Sequence, residues 1–243
     1  MDYDSLLELV KTRRSIRRIK PDPIPDDFVD KIIEVARWAP SGFNTQPWEF
    51  IIVKDRELKK RLAQLVTEYR GNYGPAMEAI REPWMKAAKP VKSSGQMDWT
   101  TAPVFIVLCG DTRVKVGLPM TVRSDYLKCE SIFTSSLASA FLYMHLAATT
   151  LGLASIWVSP VKSTQLHLLV KNILGIPDFM EIYDMMALAY PATKPRPKFL
   201  KDKQSMVHTN YCGIEEFRSE KELKEFVRKN RNWALSTIRK DHE

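Results

Sequence analysis

The 243-residue sequence predicts one domain in which helices flank a mixed β-sheet, an α+β or α/β arrangement. Three observations lead there. Phe50 to Val53 and Val104 to Cys109 are continuous β-branched and aromatic runs, the composition of strands buried on both faces. Stretches with apolar residues at helical spacing lie among the strand candidates. No internal repeat or low-complexity linker divides the chain, and 44% hydrophobic residues can fill a sizeable core.

The elements follow in order. Ser5 to Val10 places Leu6, Leu7, Leu9 and Val10 behind the candidate caps Asp2 and Asp4, giving a short amphipathic helix that ends at a basic cluster. Pro25-Asp26-Asp27 starts a second helix, with Phe28, Val29, Ile32, Ile33, Val35, Ala36 and Ala39 as its apolar face and Pro40 as its stop. Phe50 to Val53 and Val104 to Cys109 are expected as central strands. Between them, 69–101 breaks the rhythm with Gly71, Gly74, Pro75, Pro83, Pro90 and Gly95, and is expected as a partly helical, lid-like excursion. Asp125 to Leu151 is a long helix whose serines and alanines allow close approach of another helix. Ala154 to Val158 and Ile182 to Tyr190 are further strands, around a helix from Gln165 to Leu174 that Gly175 ends. Pro191, Pro195 and Pro197 force an extended segment, and Glu220 to Ile238 in the 198–243 extension is a charged amphipathic helix, expected to pack on the domain or on a partner.

Composition excludes several classes. No run of about 18 apolar residues appears, and Met1-Asp2-Tyr3-Asp4 lacks the layout of a secretory signal, so no membrane span and a cytoplasmic location are expected. Cys109, Cys129 and Cys212 form no Cys-x-x-Cys pair, and the four histidines show no ligand spacing with one another or with cysteine, so no metal site is expected. The net charge of +8 is concentrated in Lys11, Arg13, Arg14, Arg17, Arg18 and Lys20. That cluster contains no aromatic residue, which speaks against nucleic acid.

Three stretches carry chemistry. Arg13-Arg14-Ser15-Ile16-Arg17 sets fork-shaped guanidinium groups and a hydroxyl beside a helix end, a composition for holding phosphate. Pro40-Ser41-Gly42-Phe43-Asn44-Thr45-Gln46-Pro47-Trp48 is a loop dense in short polar groups that can face the edge of a flat heterocycle. Lys194-Pro195-Arg196-Pro197 presents two cations on a backbone stiffened by proline.

In this order, these motifs resemble the nitroreductase-like FMN-dependent oxidoreductase family, and the likeness runs from about Tyr3 to Pro197. Leu151-Gly152-Leu153-Ala154-Ser155-Ile156-Trp157 and Ala189-Tyr190-Pro191 belong to the same match. The resemblance implies an α+β three-layer sandwich with a mixed, mainly antiparallel sheet, as an intertwined homodimer with non-covalent FMN at the interface. By position, Arg13, Arg14 and Ser15 would meet the phosphate and ribityl chain, joined by Lys194 and Arg196. Arg17 would reach the pyrimidine edge of the flavin; Ser41, Gly42 and Asn44 would come from the partner subunit; Trp157, Val158 and Ser159 would pass by N5. Arg17 and Ser159 are flavin-tuning candidates, and no side chain is needed as a nucleophile. Gln46, Pro47 and Trp48 are read as braces of the dimer, and Trp38 as core.

The resemblance also implies NAD(P)H as electron donor, a small organic acceptor such as a nitroaromatic or quinone, and ping-pong turnover. The alternatives are a reductive dehalogenase-like member, a flavin destructase-like member, and a non-catalytic FMN-binding protein. In the iodotyrosine dehalogenase branch the lid presents a Glu and a Tyr four residues apart. Here Glu68 is followed four on by Asn72, and Glu78 by Glu82, which argues against that substrate.

Overall fold

The computed structural model describes residues 2–86, 98–194 and 198–240. In chain order the elements are α1 (Tyr3–Thr12), β1 (Ile19–Lys20), α2 (Asp26–Ala36), β2 (Trp48–Val53), α3 (Arg56–Ala79), β3 (Val104–Asp111), α4 (Met120–Arg123), α5 (Tyr126–Thr150), β4 (Ala154–Val158), α6 (Thr164–Leu174), β5 (Met180–Pro191) and α7 (Glu220–Lys240). They cluster into two compact units, Met1–Arg70 with Gly95–Pro195 and Gly71–Ser94 with Arg196–Glu243.

The first unit is built on one five-stranded sheet, ordered β1-β5-β3-β2, with β4 also paired to β5. Every pairing among the described residues is antiparallel. Alternation along the strands sends side chains to two opposed layers. Ile106, Leu108, Met186 and Leu188 face α2 and α5, where Ile32, Phe141 and Met144 are buried. Phe105, Val107, Met185 and Ala187 face α3 and α6, where Leu62, Val66, Leu166 and Val170 close the other layer. Helix, sheet, helix is the expected sandwich.

Local signals set the element ends. The Asp2 carboxylate accepts the Ser5 amide at 2.8 Å and caps α1, and Asp125 does the same for α5 through Lys128 at 3.0 Å. Gly175, at φ 65°, supplies the left-handed residue after α6. α5 is the one described helix long and apolar enough to cross a membrane by length and composition, although the sequence reading finds no such run. Half of that stretch is buried, with Phe133, Leu137 and Phe141 in the core.

Three expectations need correction. Phe50 to Val53 does bury toward both layers, but among the described residues β2 pairs only with β3 and so lies at the sheet edge. An apolar run reports what covers a strand's faces and says nothing about its hydrogen-bonding edges. α3 does not break at Tyr69 but continues through Gly71, Gly74 and Pro75 to Ala79. Trp38, read as core, is 76% exposed, its indole N–H donating to Glu34 at 3.0 Å.

The second unit joins the end of α3 to the extension after β5. Arg231 of α7 donates to both Glu78 carboxylate oxygens at 2.6 Å, and Arg81 donates to the same carboxylate at 2.8 Å. The α7 face also packs its Phe226 ring against Phe199 at 5.8 Å. The lid-like stretch and the tail helix, read separately from sequence, are thus held together by charge-assisted bonds. Pro90 and Gly95 of that stretch lie outside the described residues.

Candidate functional site

The basic cluster lies just past α1. Arg13 ends the helix, its amide donating to the Leu9 carbonyl at 3.0 Å, and its φ/ψ of −59°/118° turns the chain into extended backbone. Arg13, Arg14 and Ser15 are half-buried and Arg17 is exposed. Among the described residues the Arg13 guanidinium has no ion pair. Burial first, then the adjacent Arg14 charge, disfavours its charged form. Arg17 in turn acts on Arg70 of α3, whose charged form is disfavoured by burial and then by Arg17.

Two hydrogen-bonded steps fix this segment to the sheet. Ile19 pairs with Pro191 and Lys20 with Tyr190 at the end of β5, and the Ala192 amide donates to the Arg18 carbonyl at 2.9 Å. The arginine turn and the chain leading to exposed Lys194 therefore emerge side by side. Arg196, the other expected cation of that element, lies outside the described residues.

The Ser41–Gln46 loop is strained. Phe43, Asn44 and Gln46 have φ of 54°, 54° and 42°, conformations that non-glycine residues rarely hold unless their surroundings fix them. Here the Ser41 hydroxyl accepts the Gln46 amide at 3.1 Å, the Thr45 hydroxyl donates to the Gly42 carbonyl at 3.0 Å, and the Gln46 side-chain amide donates to Asn44 at 3.1 Å. The Gly42 amide donates to the Ser136 hydroxyl of α5 at 3.1 Å, and an added Cβ at Gly42 would stand 2.4 Å from Ile132 Cγ2. Glycine is needed here for close approach to α5. Pro47 and Trp48 are buried in their own subunit, Trp48 in the α2/α5 layer, so bracing a dimer is not their main work.

At the end of β4, Val158 is buried and Ser159 is exposed at the start of a 3-10 turn to Lys162. Trp157 is 40% exposed, and its indole N–H donates to the Asp184 carboxylate at 2.6 Å. Asp184 is 5% exposed, and its second oxygen, Oδ1, is buried without a partner. Burial raises its pKa above the usual carboxylate value, against the opposing pull of the Trp157 bond and the Lys162 charge. Behind Trp157 stand Phe141, edge-on at 4.6 Å, and His145, stacked at 5.4 Å. His145 Nδ1 lies 2.7 Å from the Ser155 hydroxyl, and burial, assisted by the Arg13 charge, pushes its pKa down to about 3. His145 is thus neutral, and it ties α5 to β4 through Ser155 and Trp157.

The spacing of these parts suits an elongated ligand. Trp157 pairs with Met186, and Ile19 pairs with Pro191, five residues further along β5. At about 3.3 Å per residue this separation is about 16 Å. One subunit therefore unites the arginine turn, the Lys194 chain and the β4 end about one sheet edge. The sequence reading missed His145, Ser155 and Asp184, although Phe141 and His145 stand one helical turn apart and β-strand alternation puts Ser155 and Trp157 on one face.

The chain matches the family model described as the nitroreductase family over residues 10–190. It is 29% identical to "Putative NADH dehydrogenase/NAD(P)H nitroreductase" of Archaeoglobus fulgidus over 77% of this chain and 86% of that one. It is 27% identical to rat iodotyrosine deiodinase 1 over 84% of this chain and 68% of that one. The solved NADPH:FMN oxidoreductase of Vibrio harveyi, complexed with NAD+, shares the fold with a TM-score of 0.68 at 20% identity, over 98% of this chain and 91% of that one.

Proposed function

The chain belongs to the nitroreductase family, and from that premise we propose that it is an FMN-dependent oxidoreductase that takes electrons from NAD(P)H and passes them to a small organic acceptor, as a homodimer. The observation that carries this reading is the half-buried Arg13 at the end of α1, a cation without an ion pair among the described residues, in the turn that leads into the β1–β5 pairing. Burying an unpaired cation is costly, and a dianionic phosphate offsets that cost through charge-assisted, bidentate contacts. Arg14, Ser15 and Lys194 join it, and Arg196 belongs to the same set by sequence. The strained Ser41–Asn44 loop supports a contact from the partner subunit, since strain of this kind persists where geometry is put to use.

A bound FMN, held by the arginine turn, would supply two-electron redox chemistry between a nicotinamide donor and the acceptor. The chain binds and orients. Arg17 would bring a cation to the pyrimidine edge, where negative charge collects on reduction. Ser159 would offer a hydroxyl near N5, and the Phe141–His145–Asp184 set holds Trp157 and so fixes the strand end. Pairing is supported by α1, which buries no residue in its own subunit and leaves Tyr3, Leu6 and Val10 exposed, and by the exposed Leu127 and Leu142 of α5.

The deiodinase relatives, together with the Ser159 hydroxyl, favour reductive dehalogenation as the second reading. Purified protein is expected to be yellow, to release FMN on denaturation, and to bleach anaerobically with NADPH or NADH. Arg13→Ala is expected to lower FMN affinity about ten- to hundredfold, the loss of one charge-assisted contact. A colourless protein that takes up no added FMN would overturn the proposal; flavin that never bleaches would leave a non-catalytic FMN binder. Halide release from a halophenol, without nitroaromatic reduction, would favour the second reading.

A further inference from the structure

We propose that His208, Cys212 and Glu216, in the extension after β5, form a site for one divalent, borderline-soft cation, with zinc the best match. The inference is independent of the oxidoreductase reading. One imidazole nitrogen, the Cys212 sulfur and one Glu216 carboxylate oxygen all lie within 4.8 Å of one another. A tetrahedral centre with Zn–S of about 2.3 Å and Zn–N or Zn–O of about 2.0–2.1 Å sets its donors about 3.4–3.6 Å apart. Reaching those separations takes shifts of about 1 Å, the farther donors closing and the His208–Glu216 pair opening, within reach of rotamer changes because Cys212 and Glu216 are exposed.

The spacing in sequence is four and four, but no helix brings the three together. Asn210 takes φ 65°, the left-handed region that asparagine tolerates, and the Tyr211 amide donates to the Thr209 carbonyl at 2.8 Å. A 3-10 turn, Ile214–Glu216, then returns the chain, with the Glu216 amide on the Gly213 carbonyl at 3.0 Å. The two bends fold the three donors onto one point. Part of the site is already assembled: His208 Nδ1 lies 2.7 Å from Glu216 Oε2, and the imidazole rests on the Phe217 ring at 5.3 Å. A cation would replace the proton shared by that pair.

Donor chemistry selects the ion. One nitrogen, one thiolate and one carboxylate suit zinc, whereas calcium and magnesium prefer oxygen alone. Thiolate and carboxylate together balance a divalent charge, leaving a fourth position for water. Between β5 and α7 the described residues form only 3-10 turns, while Leu200, Met206, Val207, Tyr211 and Ile214 are exposed. A metal cross-link supplies order that apolar burial does not.

The test uses the full-length protein loaded with cobalt as a zinc surrogate. A thiolate-to-cobalt charge-transfer band that saturates at about one equivalent is expected, and Cys212→Ser should abolish it. His208→Ala and Glu216→Gln should each weaken cobalt binding about tenfold or more. In the unaltered protein, zinc should slow alkylation of Cys212 by iodoacetamide about tenfold, while magnesium should not. A missing charge-transfer band, an equal band in Cys212→Ser, or unchanged alkylation in zinc would overturn the proposal.

Discussion

Replacing Trp157 with phenylalanine removes the indole N–H and keeps most of the ring that packs on Phe141 and His145. Asp184 then loses the 2.6 Å bond to Oδ2, and Oδ1 already lacks a partner, so a carboxylate that is 5% exposed is left with no donor in the described structure. A hydrogen bond to a charged group contributes about 1.5–3 kcal/mol. Trp157 is 40% exposed, so water reaches part of the indole and the lower half of that range applies, about 1.5–2 kcal/mol. For a chain of this size each kcal/mol moves Tm by about 2–4 °C, giving an expected fall of about 3–8 °C at pH 7 by calorimetry. The sign with pH follows from the raised Asp184 pKa. Stability from such a group is fully present below its unfolded pKa and is lost as pH rises through the folded one. The indole bond favours the ionised form, so Trp157→Phe raises the folded pKa further and costs most at neutral pH. Below about pH 4, where the carboxyl is protonated in either protein, only a neutral bond of about 0.5–1.5 kcal/mol is lost. A Tm loss under about 1 °C, or the same loss at pH 4 and pH 7, would refute this account.

Three further outcomes are expected. Gly42→Ala forces a Cβ to 2.4 Å from Ile132 Cγ2 beside the Gly42–Ser136 bond, so it should cost about 1–3 kcal/mol by denaturant titration and loosen flavin retention; unchanged stability would show that the loop yields freely. His145, with a folded pKa of about 3, contributes stability that is present above its unfolded pKa near 6.5 and lost as pH falls toward 3. His145→Gln should therefore flatten the acid limb of the stability curve by up to about 1.4 kcal/mol per pH unit, as read by chemical denaturation across that range. Sedimentation at micromolar concentration should find a homodimer, and a flavin-loaded monomer would contradict the proposed pairing.

Much of the fold was legible because burial writes itself into period. Val104 to Cys109 reads as a buried strand and is one, and Asp125 to Leu151 gives α5 within a residue at each end. What failed was information that the local run does not hold. Whether β2 is central or at an edge depends on which strand pairs with it, and its apolar run is the same in either case. The course of α3 past Gly71, Gly74 and Pro75 was also hidden. Those residues cost about 1 kcal/mol for each glycine and about 3 kcal/mol for proline in a helix interior. Against them stand long-range bonds such as that from Arg231 to Glu78, which sequence order cannot reveal.

The candidate site was legible where its chemistry lies on backbone turns, and illegible where it lies on burial. Arg13, Arg14 and Ser15 announce a phosphate by residue type, and Ser41 to Gln46 announces a tight loop by its short polar side chains. His145 and Asp184 announce nothing by type, since a histidine among alanines and an aspartate in a strand each have an ordinary solvated reading. Only the fold shows that α5 lays His145 on Trp157, and that Asp184, in step with Met186 and Leu188 along β5, is buried. Those groups are costly to bury, and the cost is met in one place, behind the strand end that bears Ser159. A chain under no demand at that position would gain stability by exchanging Asp184 for an apolar residue of similar size. That Asp184 stands there, with Oδ1 unpartnered, is therefore an argument that Trp157 must be held in one orientation, and that holding it serves the site rather than the core.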